Sequence, residues 1–308
     1  MNRNNILAID NGTQSVRALL FSPDGDMLAK VRVIYEPYFA EQPGWAEQHA
    51  ELFWEKVCEA CKRLIALPEV DADSIAGVTL TTQRSTLINL DENMQPLRPA
   101  MHWLDQRIAT KFKKVSGLWG LAFDLIGLRD TINYFQGQSE ANYLAETDPE
   151  MWSKTDKFVF LSGYLTYKMT GKLIDSLASQ VGFVPFDYKG LKWAGAGDWK
   201  WQALPPIMPN LLPPLVAPGE LLGHITSEAS AEMGIPEGLP MIASAADKAT
   251  EVLGAGCLTP DTACLSFGTT ATVNTTQFKY YEVIPLVPPY PAAVPKAYNL
   301  EVQIYRGY

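Results

Sequence analysis

The chain has 308 residues, of which 47% are hydrophobic and 19% charged, a composition typical of a soluble globular protein with room for two domains. Its formal net charge is −9 and no basic cluster occurs, which argues against nucleic acid and anionic membranes as partners. No apolar run is long enough for a membrane helix, and the N-terminus does not resemble a secretory signal. We therefore expect a cytoplasmic protein.

The first 21 residues predict a β-hairpin with an unusual turn. Two apolar runs, 6–9 and 16–21, flank a polar turn that contains Asn-Gly. Backbone N–H groups that converge in such a turn can bind phosphate oxygens, and Asp10 at the strand end could hold a divalent cation. A surface hairpin with a solvated turn explains the same pattern equally well.

The segments that follow alternate between strand and helix patterns. Residues 27–34 predict a third antiparallel strand, 52–65 a helix with apolar residues every three or four positions, and 75–82 a buried strand. Residues 108–170 have a mostly helical pattern. A proline-rich run over 204–219 favours a packed connector over a ligand for a peptide-binding domain.

The four cysteines do not indicate a metal or redox site. Cys58 and Cys61 form a C-x-x-C motif inside the predicted helix, but no second cysteine pair or histidine pair completes a zinc set. We therefore interpret them as part of a packed helix face. Cys257 and Cys264 lie in apolar sequence and are interpreted as core thiols.

A second polar site is predicted near residue 247. A run of small residues, 242–246, ends in Asp247, which opens a helix rich in small residues. Small residues let a ligand approach the backbone closely, and a helix N-terminus favours anionic groups. An ordinary helix-capping aspartate fits the local pattern as well. Residues 265–273 predict a further hairpin, and 284–295 a loop.

Several of these motifs together resemble the FGGY family of carbohydrate kinases. The order Asp-x-Gly-Thr-x-Ser-x-Arg from Asp10 to Arg17 is similar to the phosphate loop of that family. The run 43–48 and the Trp-x-Asp-x-Arg motif at 103–107 are similar to its sugar side. The pair Gln83-Arg84 is most similar to the glycerol kinase type. The chain departs from that type at Ser85, where glycerol kinase has a substrate-binding Glu, so a larger substrate than glycerol is favoured.

The resemblance implies an α/β protein with the ribonuclease-H-like, actin-like ATPase fold, a mixed sheet with flanking helices. It implies a sugar- and Mg-phosphate-binding domain over 1–244 and the beginning of a nucleotide-binding domain over 245–308. Because family members are substantially longer, we expect the second domain to be incomplete here and the chain to be a fragment with weak ATP binding. The catalytic site is expected in the cleft between the two domains, and a homodimer remains open.

The resemblance also implies a role for each motif residue. It assigns Mg²⁺ to Asp10, the phosphates of ATP to Gly12, Thr13, Gln14, Ser15, Arg17, Gly268 and Thr269, the sugar or polyol to Gln83, Arg84, Trp103, Asp105 and Tyr134, and the role of general base to Asp247. A base is needed because an alcohol is a weak nucleophile until its proton is accepted by a positioned group.

The expected function is therefore ATP-dependent phosphorylation of a hydroxyl of a small sugar or polyol. A pentulose, a pentitol, a tetritol or a glycerol-like molecule would each fit. The alternative is a non-catalytic sugar-binding relative of these kinases that has lost nucleotide chemistry. An actin-like or chaperone-like ATPase is disfavoured, because Gln83-Arg84 and the Trp103-x-Asp105 motif would then have no task.

Overall fold

The computed structural model describes residues 3–267 and 271–304. The strands are β1 (Asn5–Asn11), β2 (Ser15–Phe21), β3 (Met27–Ile34), β4 (Glu47–Gln48), β5 (Ile75–Thr82), β6 (Leu87–Leu90), β7 (Ala100–Met101), β8 (Lys157–Phe160), β9 (Asp175–Ser176), β10 (Phe186–Asp187), β11 (Lys192–Trp193), β12 (Leu215–Val216), β13 (Leu221–His224), β14 (Pro240–Ala243), β15 (Cys264–Phe267), β16 (Ala271–Gln277), β17 (Tyr290–Pro291) and β18 (Tyr298–Ile304). The α-helices are α1 (Ala50–Ile65), α2 (Gly117–Leu125), α3 (Arg129–Gln138), α4 (Glu140–Thr147), α5 (Pro149–Ser153), α6 (Leu161–Thr170), α7 (Trp199–Ala203), α8 (Ser227–Met233) and α9 (Asp247–Gly254).

The largest sheet is mixed and has six strands, all of which lie within residues 5–243. Its strand order is β13-β14-β5-β1-β2-β3. Strands β1, β2 and β3 form an antiparallel meander, while β5 and β14 run parallel to β1. A parallel pair needs a crossover, and α1 lies between β3 and β5 in the chain to provide it. This topology confirms the expected ribonuclease-H-like, actin-like architecture.

Helices α1, α6 and α8 pack together with this sheet around the largest apolar core. The helix α1 buries Phe53, Val57, Cys61 and Leu64, which recur at the three- and four-residue steps of one helix face. Both cysteines of the C-x-x-C motif are buried and free, as expected for a packed helix face. The other two cysteines are also buried and free.

A second core lies beside a smaller antiparallel sheet with strand order β4-β7-β6-β8. It is rich in aromatic residues, because helices α2, α3 and α7 and the hairpin β10–β11 contribute Phe and Trp side chains to it. The expected helical stretch is confirmed in part. It holds α2 to α6, but β8 interrupts it, and α2 begins only at Gly117.

A separate four-stranded antiparallel sheet, β15-β16-β18-β17, contains the last strands. The segment 284–295 was expected to be a loop, but it contains the short strand β17, which forms by pairing with β18. The sequence pattern predicted neither of these two strands. The six-stranded sheet ends at Ala243 and this sheet begins at Cys264. The domain division at residue 244 stays a prediction. Within the described residues, no helix has the length and apolar character that crossing a membrane requires.

Candidate active site

Three parallel strands end at the same edge of the six-stranded sheet. Asp10 on β1 lies opposite Thr81 on β5, and Ala243 on β14 lies opposite the preceding β5 residue. Ligands of open α/β sheets bind at the carboxyl ends of the strands, where the following loops meet. The segments after β5 and β14 carry Arg84 and Asp247, so this edge gathers three of the predicted site residues.

The turn between β1 and β2 is held by hydrogen bonds at Gly12, and it contains two backbone N–H groups that donate to no acceptor in the described chain. The Gly12 N–H donates to the Ser15 carbonyl over 3.1 Å, and the Tyr35 hydroxyl donates to the Gly12 carbonyl over 2.5 Å. Within the described part of the chain, the N–H groups of Thr13 and Gln14 donate to no acceptor. Two free N–H groups on a fixed turn suit phosphate oxygens, as predicted for this loop.

Asp10 has the features of a residue that binds Mg²⁺ together with a phosphate. Its carboxylate is 26% exposed and accepts a hydrogen bond from Arg17 over 2.5 Å. Across residues 3–267 and 271–304, no group of three His, Cys, Asp or Glu side chains forms a ready metal cage. Mg²⁺ is commonly held by one or two carboxylates, substrate phosphates and waters, so a single aspartate beside a phosphate loop fits that ion.

Two other residues of the loop, Gln14 and Ser15, differ in exposure and in the direction of their side chains. The Ser15 side chain is buried, and its hydroxyl accepts a hydrogen bond from the Arg32 guanidinium over 3.0 Å. Gln14 is exposed at the tip of the turn. The serine side chain is therefore held towards β3, whereas the glutamine is free to reach a ligand.

Asp247 is the first residue of α9, and burial makes its carboxylate a better base. One of its oxygens accepts a hydrogen bond from the Lys248 N–H over 2.7 Å. Burial raises the pKa of Asp247, the charge of Asp10 raises it further, and Arg84 opposes the shift. A carboxylate with a raised pKa accepts a proton more readily.

The segment before α9 is held in place by hydrogen bonds to its backbone. The Thr81 hydroxyl donates to the Ala245 carbonyl over 2.7 Å, and the Ser176 hydroxyl donates to the Ser244 carbonyl over 2.5 Å. The Ala246 N–H donates to the Ala178 carbonyl. These contacts come from β5 and from the segment that begins at β9, and they fix the position of Asp247.

Gln83 and Asn11 leave buried polar atoms without partners beside this edge. Gln83 is 3% exposed, and neither atom of its side-chain amide has a hydrogen-bond partner in the described chain. The side-chain nitrogen of Asn11, at the end of β1, is also buried and unpaired. Buried polar groups are nearly always hydrogen-bonded, so these atoms favour a polar ligand at the site.

Arg84, which follows β5 of the six-stranded sheet, contacts the four-stranded sheet β15-β16-β18-β17. Its guanidinium forms an ion pair with Glu301 on β18 at 2.9 Å and lies over the Tyr290 ring at 5.1 Å from the ring centre. The ion pair and the nearby Asp247 raise the pKa of Arg84 against the opposing effect of its burial. Sequence reasoning missed Glu301, since nothing in its local pattern distinguishes it from other strand residues.

Trp103 contacts the opening loop, whereas Asp105 is engaged by other parts of the chain. The Trp103 indole N–H donates to the Thr13 hydroxyl over 3.1 Å, which joins the predicted sugar side to the phosphate loop. The Asp105 carboxylate accepts hydrogen bonds from the Ala46 N–H and from Arg107. Its oxygens therefore have partners within the chain, and it orients the segment around residue 46.

The remaining predicted residues are not brought into this cluster. Tyr134 on α3 is 64% exposed, and no hydrogen bond or ring contact within the described residues joins it to the other candidates. Gly268 and Thr269 lie outside the described residues. Tyr35, which holds the Gly12 carbonyl, was missed by sequence reasoning because a tyrosine after a strand carries no local signal.

Residues 5–254 match the FGGY family of carbohydrate kinases, N-terminal domain. The chain belongs to this family. A protein of Escherichia coli (strain K12) named uncharacterized sugar kinase YgcE is 27% identical over 269 residues, and the xylulose kinase of Bacillus subtilis (strain 168) is 26% identical over 268 residues. Each alignment covers 87% of this chain, but 47% and 52% of the relatives. The chain thus spans about half the length of the curated relatives it matches.

Solved structures show the same fold. A ligand-bound xylulose kinase from Lactobacillus acidophilus superimposes with a TM-score of 0.81 at 22% identity, covering 99% of this chain and 60% of that one. A Plasmodium falciparum glycerol kinase with ADP superimposes with a TM-score of 0.78 at 18% identity, covering 98% and 61%. These likenesses establish the fold, which the geometry described above had already indicated.

Proposed function

We propose that this chain is the substrate-binding part of a kinase that transfers the terminal phosphoryl group of ATP to a hydroxyl of a small sugar or polyol. The observation that carries the proposal is that β1, β5 and β14 end at one sheet edge, with Asp10 on β1 and with Arg84 and Asp247 in the segments that follow β5 and β14. Family membership and the xylulose and glycerol kinases among its relatives support the same reaction class. The substrate proposed is a pentulose, a pentitol, a tetritol or a glycerol-like molecule.

Each residue has a distinct task in this proposal. When bound, MgATP supplies the phosphoryl group. The N–H groups of Thr13 and Gln14 donate to its phosphate oxygens, and Asp10 holds the magnesium ion directly or through water. Arg84 orients the acceptor by hydrogen bonding. Asp247 accepts the proton from the attacking hydroxyl as the new bond to phosphorus forms.

The other predicted residues complete the proposal. Arg17, Ser15 and Gly12 shape the phosphate loop, and the phosphate-binding role of Gly268 and Thr269, which lie outside the described residues, stays a prediction from the family resemblance. Gln83 and Trp103 contact the acceptor, and Asp105 orients the segment around residue 46, whereas the role of Tyr134, which is exposed on α3, stays a prediction. Closure of the two domains excludes water, which would otherwise take the phosphoryl group. We further propose that the protein acts in the cytoplasm.

The proposal is tested by measuring ADP release from the full gene product with a panel of acceptors, namely glycerol, erythritol, ribitol and D-xylulose. We expect turnover with at least one acceptor that depends on both the acceptor and Mg²⁺. Saturable binding of an acceptor without turnover would instead support the non-catalytic sugar-binding alternative. Absence of both binding and turnover across the panel would contradict both.

A further inference from the structure

Two neighbouring side chains on the sheet β15-β16-β18-β17, called the second sheet from here on, have buried polar atoms without a partner in the described part of the chain. Glu301 on β18 uses one carboxylate oxygen for Arg84, while its other oxygen is buried and unpaired. Asn274 lies directly opposite Glu301 on β16. Asn274 is 1% exposed, and neither its side-chain oxygen nor its nitrogen has a partner in the described part of the chain. Directly opposed residues of antiparallel strands place their side chains next to each other on one face.

This pair lies beside the proposed phosphoryl-transfer site. Glu301 and Asn274 line the same cavity as Arg84 and as Ala246 and Lys248, the two residues that flank the proposed base. The unpaired atoms therefore lie beside the proposed base rather than in a separate part of the molecule. They also belong to a different sheet from the other acceptor-binding residues.

The chemistry of the unpaired atoms indicates the kind of group that would satisfy them. An ionised carboxylate oxygen only accepts hydrogen bonds, whereas an amide side chain both donates and accepts. A hydroxyl group can donate a hydrogen bond to the carboxylate of Glu301, and it can either donate to or accept from the amide of Asn274. The cations that line the cavity are already paired, Arg84 with Glu301 and Lys248 with Glu251. A ligand carboxylate or phosphate placed against the unpaired oxygen of Glu301 would be repelled, so this pair of side chains favours a neutral, hydroxyl-bearing group.

We propose that Glu301 and Asn274 are specificity-determining residues that bind a hydroxyl of the acceptor other than the one that is phosphorylated. The substrate is accordingly a neutral polyol or sugar and not a sugar acid. This inference rests on the proposed function, because it assumes that the acceptor occupies the site between Arg84 and Asp247. In this arrangement the ion pair holds the Glu301 carboxylate in place, and its second oxygen recognises the ligand.

The test is a binding titration by calorimetry on the full chain, using glycerol, erythritol, ribitol, D-xylulose and D-gluconate. The best neutral ligand is then compared with each of its monodeoxy analogues, for example D-xylulose with 1-deoxy-D-xylulose, so that one analogue lacks the recognised hydroxyl. We expect Glu301→Gln to weaken binding of the parent ligand about tenfold or more, because a hydrogen bond to a charged group is lost. Binding of the analogue that lacks the recognised hydroxyl should remain within about twofold of wild type.

A second variant and a matched control make the outcome decisive. Asn274→Ala should show the same selective loss even if Glu301→Gln disturbs the sheet. Glu282→Gln makes the same chemical change at an exposed site between β16 and β17, and should alter neither affinity. Equal weakening of the parent and of every monodeoxy analogue by both pocket variants would overturn the proposal, since the pair would then only support Arg84.

Two results with the wild-type chain would also be decisive. Tighter binding of D-gluconate than of every neutral ligand would overturn the assigned substrate class while leaving the kinase proposal intact. No binding of any ligand would contradict the proposed function itself, and this inference with it.

Discussion

At the scale of single residues, two buried carboxyl groups behave differently from ordinary surface acids. Asp247 has its pKa raised by burial and by Asp10, while Arg84 keeps it from rising further. Glu140, at the start of α4, has one buried oxygen without a partner, and burial raises its pKa to about 7. The first of these is the proposed base, whereas the second lies near Asp105 and has no task in the proposed reaction.

Replacement of the proposed base separates catalysis from binding. We expect Asp247→Asn to lower kcat by about 100-fold or more, because general base catalysis typically contributes at least that factor. The affinity for the acceptor should change far less, since the amide keeps the shape of the carboxylate. Steady-state ADP release and acceptor titrations on the full gene product would measure both quantities. A kcat within a few-fold of wild type would refute the assignment of the base.

Glu140→Gln should change how stability depends on pH. The folded pKa of about 7 lies above the ordinary value of 4.5, so the folded state holds its proton where the unfolded state has lost it. Below pH 4.5 both states hold the proton, so Glu140 leaves the free energy of unfolding unchanged. As pH rises from 4.5 towards 7, only the unfolded state loses the proton, and the free energy of unfolding falls. The loss amounts to about 3 kcal/mol above pH 7. The variant, which cannot ionise, should therefore gain stability over wild type between pH 5 and pH 8.

Urea unfolding at several pH values would measure this difference. Glu150→Gln is a suitable control, because Glu150 is exposed on α5 and its replacement should leave the pH profile unchanged. An identical pH dependence for wild type and Glu140→Gln would contradict the prediction.

At the scale of elements, a buried charge cluster ties the short strand β4 to the segment that follows β7. The Arg107 guanidinium lies between the carboxylates of Asp105 and Glu47 and stacks on the Trp45 ring at 4.2 Å. Arg98 also pairs with Glu47. The side chains of Arg107, Asp105 and Glu47 are each less than 10% exposed, so their charges depend on one another.

Removing the central cation should destabilise the fold strongly. Arg107→Ala leaves Asp105 without its cation and Glu47 with Arg98 alone, and breaking a buried pair in this way costs about 3–5 kcal/mol. Chemical denaturation at pH 7 would measure the loss in the free energy of unfolding. Lys154→Ala, which removes an exposed ion pair with Glu150, should leave stability near wild type. A loss from Arg107→Ala no larger than that of this control would contradict the prediction.

At the scale of the whole molecule, three contacts join the sheet β15-β16-β18-β17 to earlier parts of the chain, and one of them, between Arg84 and Glu301, lines the proposed acceptor site. Arg84 pairs with Glu301, the Lys248 ammonium donates to the Ser266 hydroxyl over 3.0 Å, and the Tyr298 hydroxyl donates to the Lys189 carbonyl over 2.8 Å. A ligand in this position would contact both parts of the chain.

Acceptor binding should therefore protect two distant segments together. We expect a saturating neutral acceptor to slow amide hydrogen exchange at 82–86 and at 298–303 in the same titration, because both segments adjoin the site. Mass spectrometry of exchanged peptides would follow each segment separately. Protection confined to the first segment would mean that the second sheet does not contribute to the acceptor site.

Sequence alone determined the elements whose causes are local. The hairpin of β1 and β2, the strand β3, the packed face of α1 and the opening of α9 at Asp247 all follow from alternation, helical spacing and turn residues. The same motifs indicated the family, which residues 5–254 confirm. The roles of the individual site residues stay predictions.

Only the tertiary structure decided how these residues are used. The pairing of Arg84 with Glu301 joins residues 217 positions apart, and a local pattern carries no information about such a contact. The engagement of Glu47 by Arg107, the exposure of Tyr134 and the unpaired atoms of Gln83 and Asn274 likewise depend on which elements meet. Periodicity reports the burial of a residue within its own element, but hydrogen-bond partners and desolvation depend on elements distant in sequence.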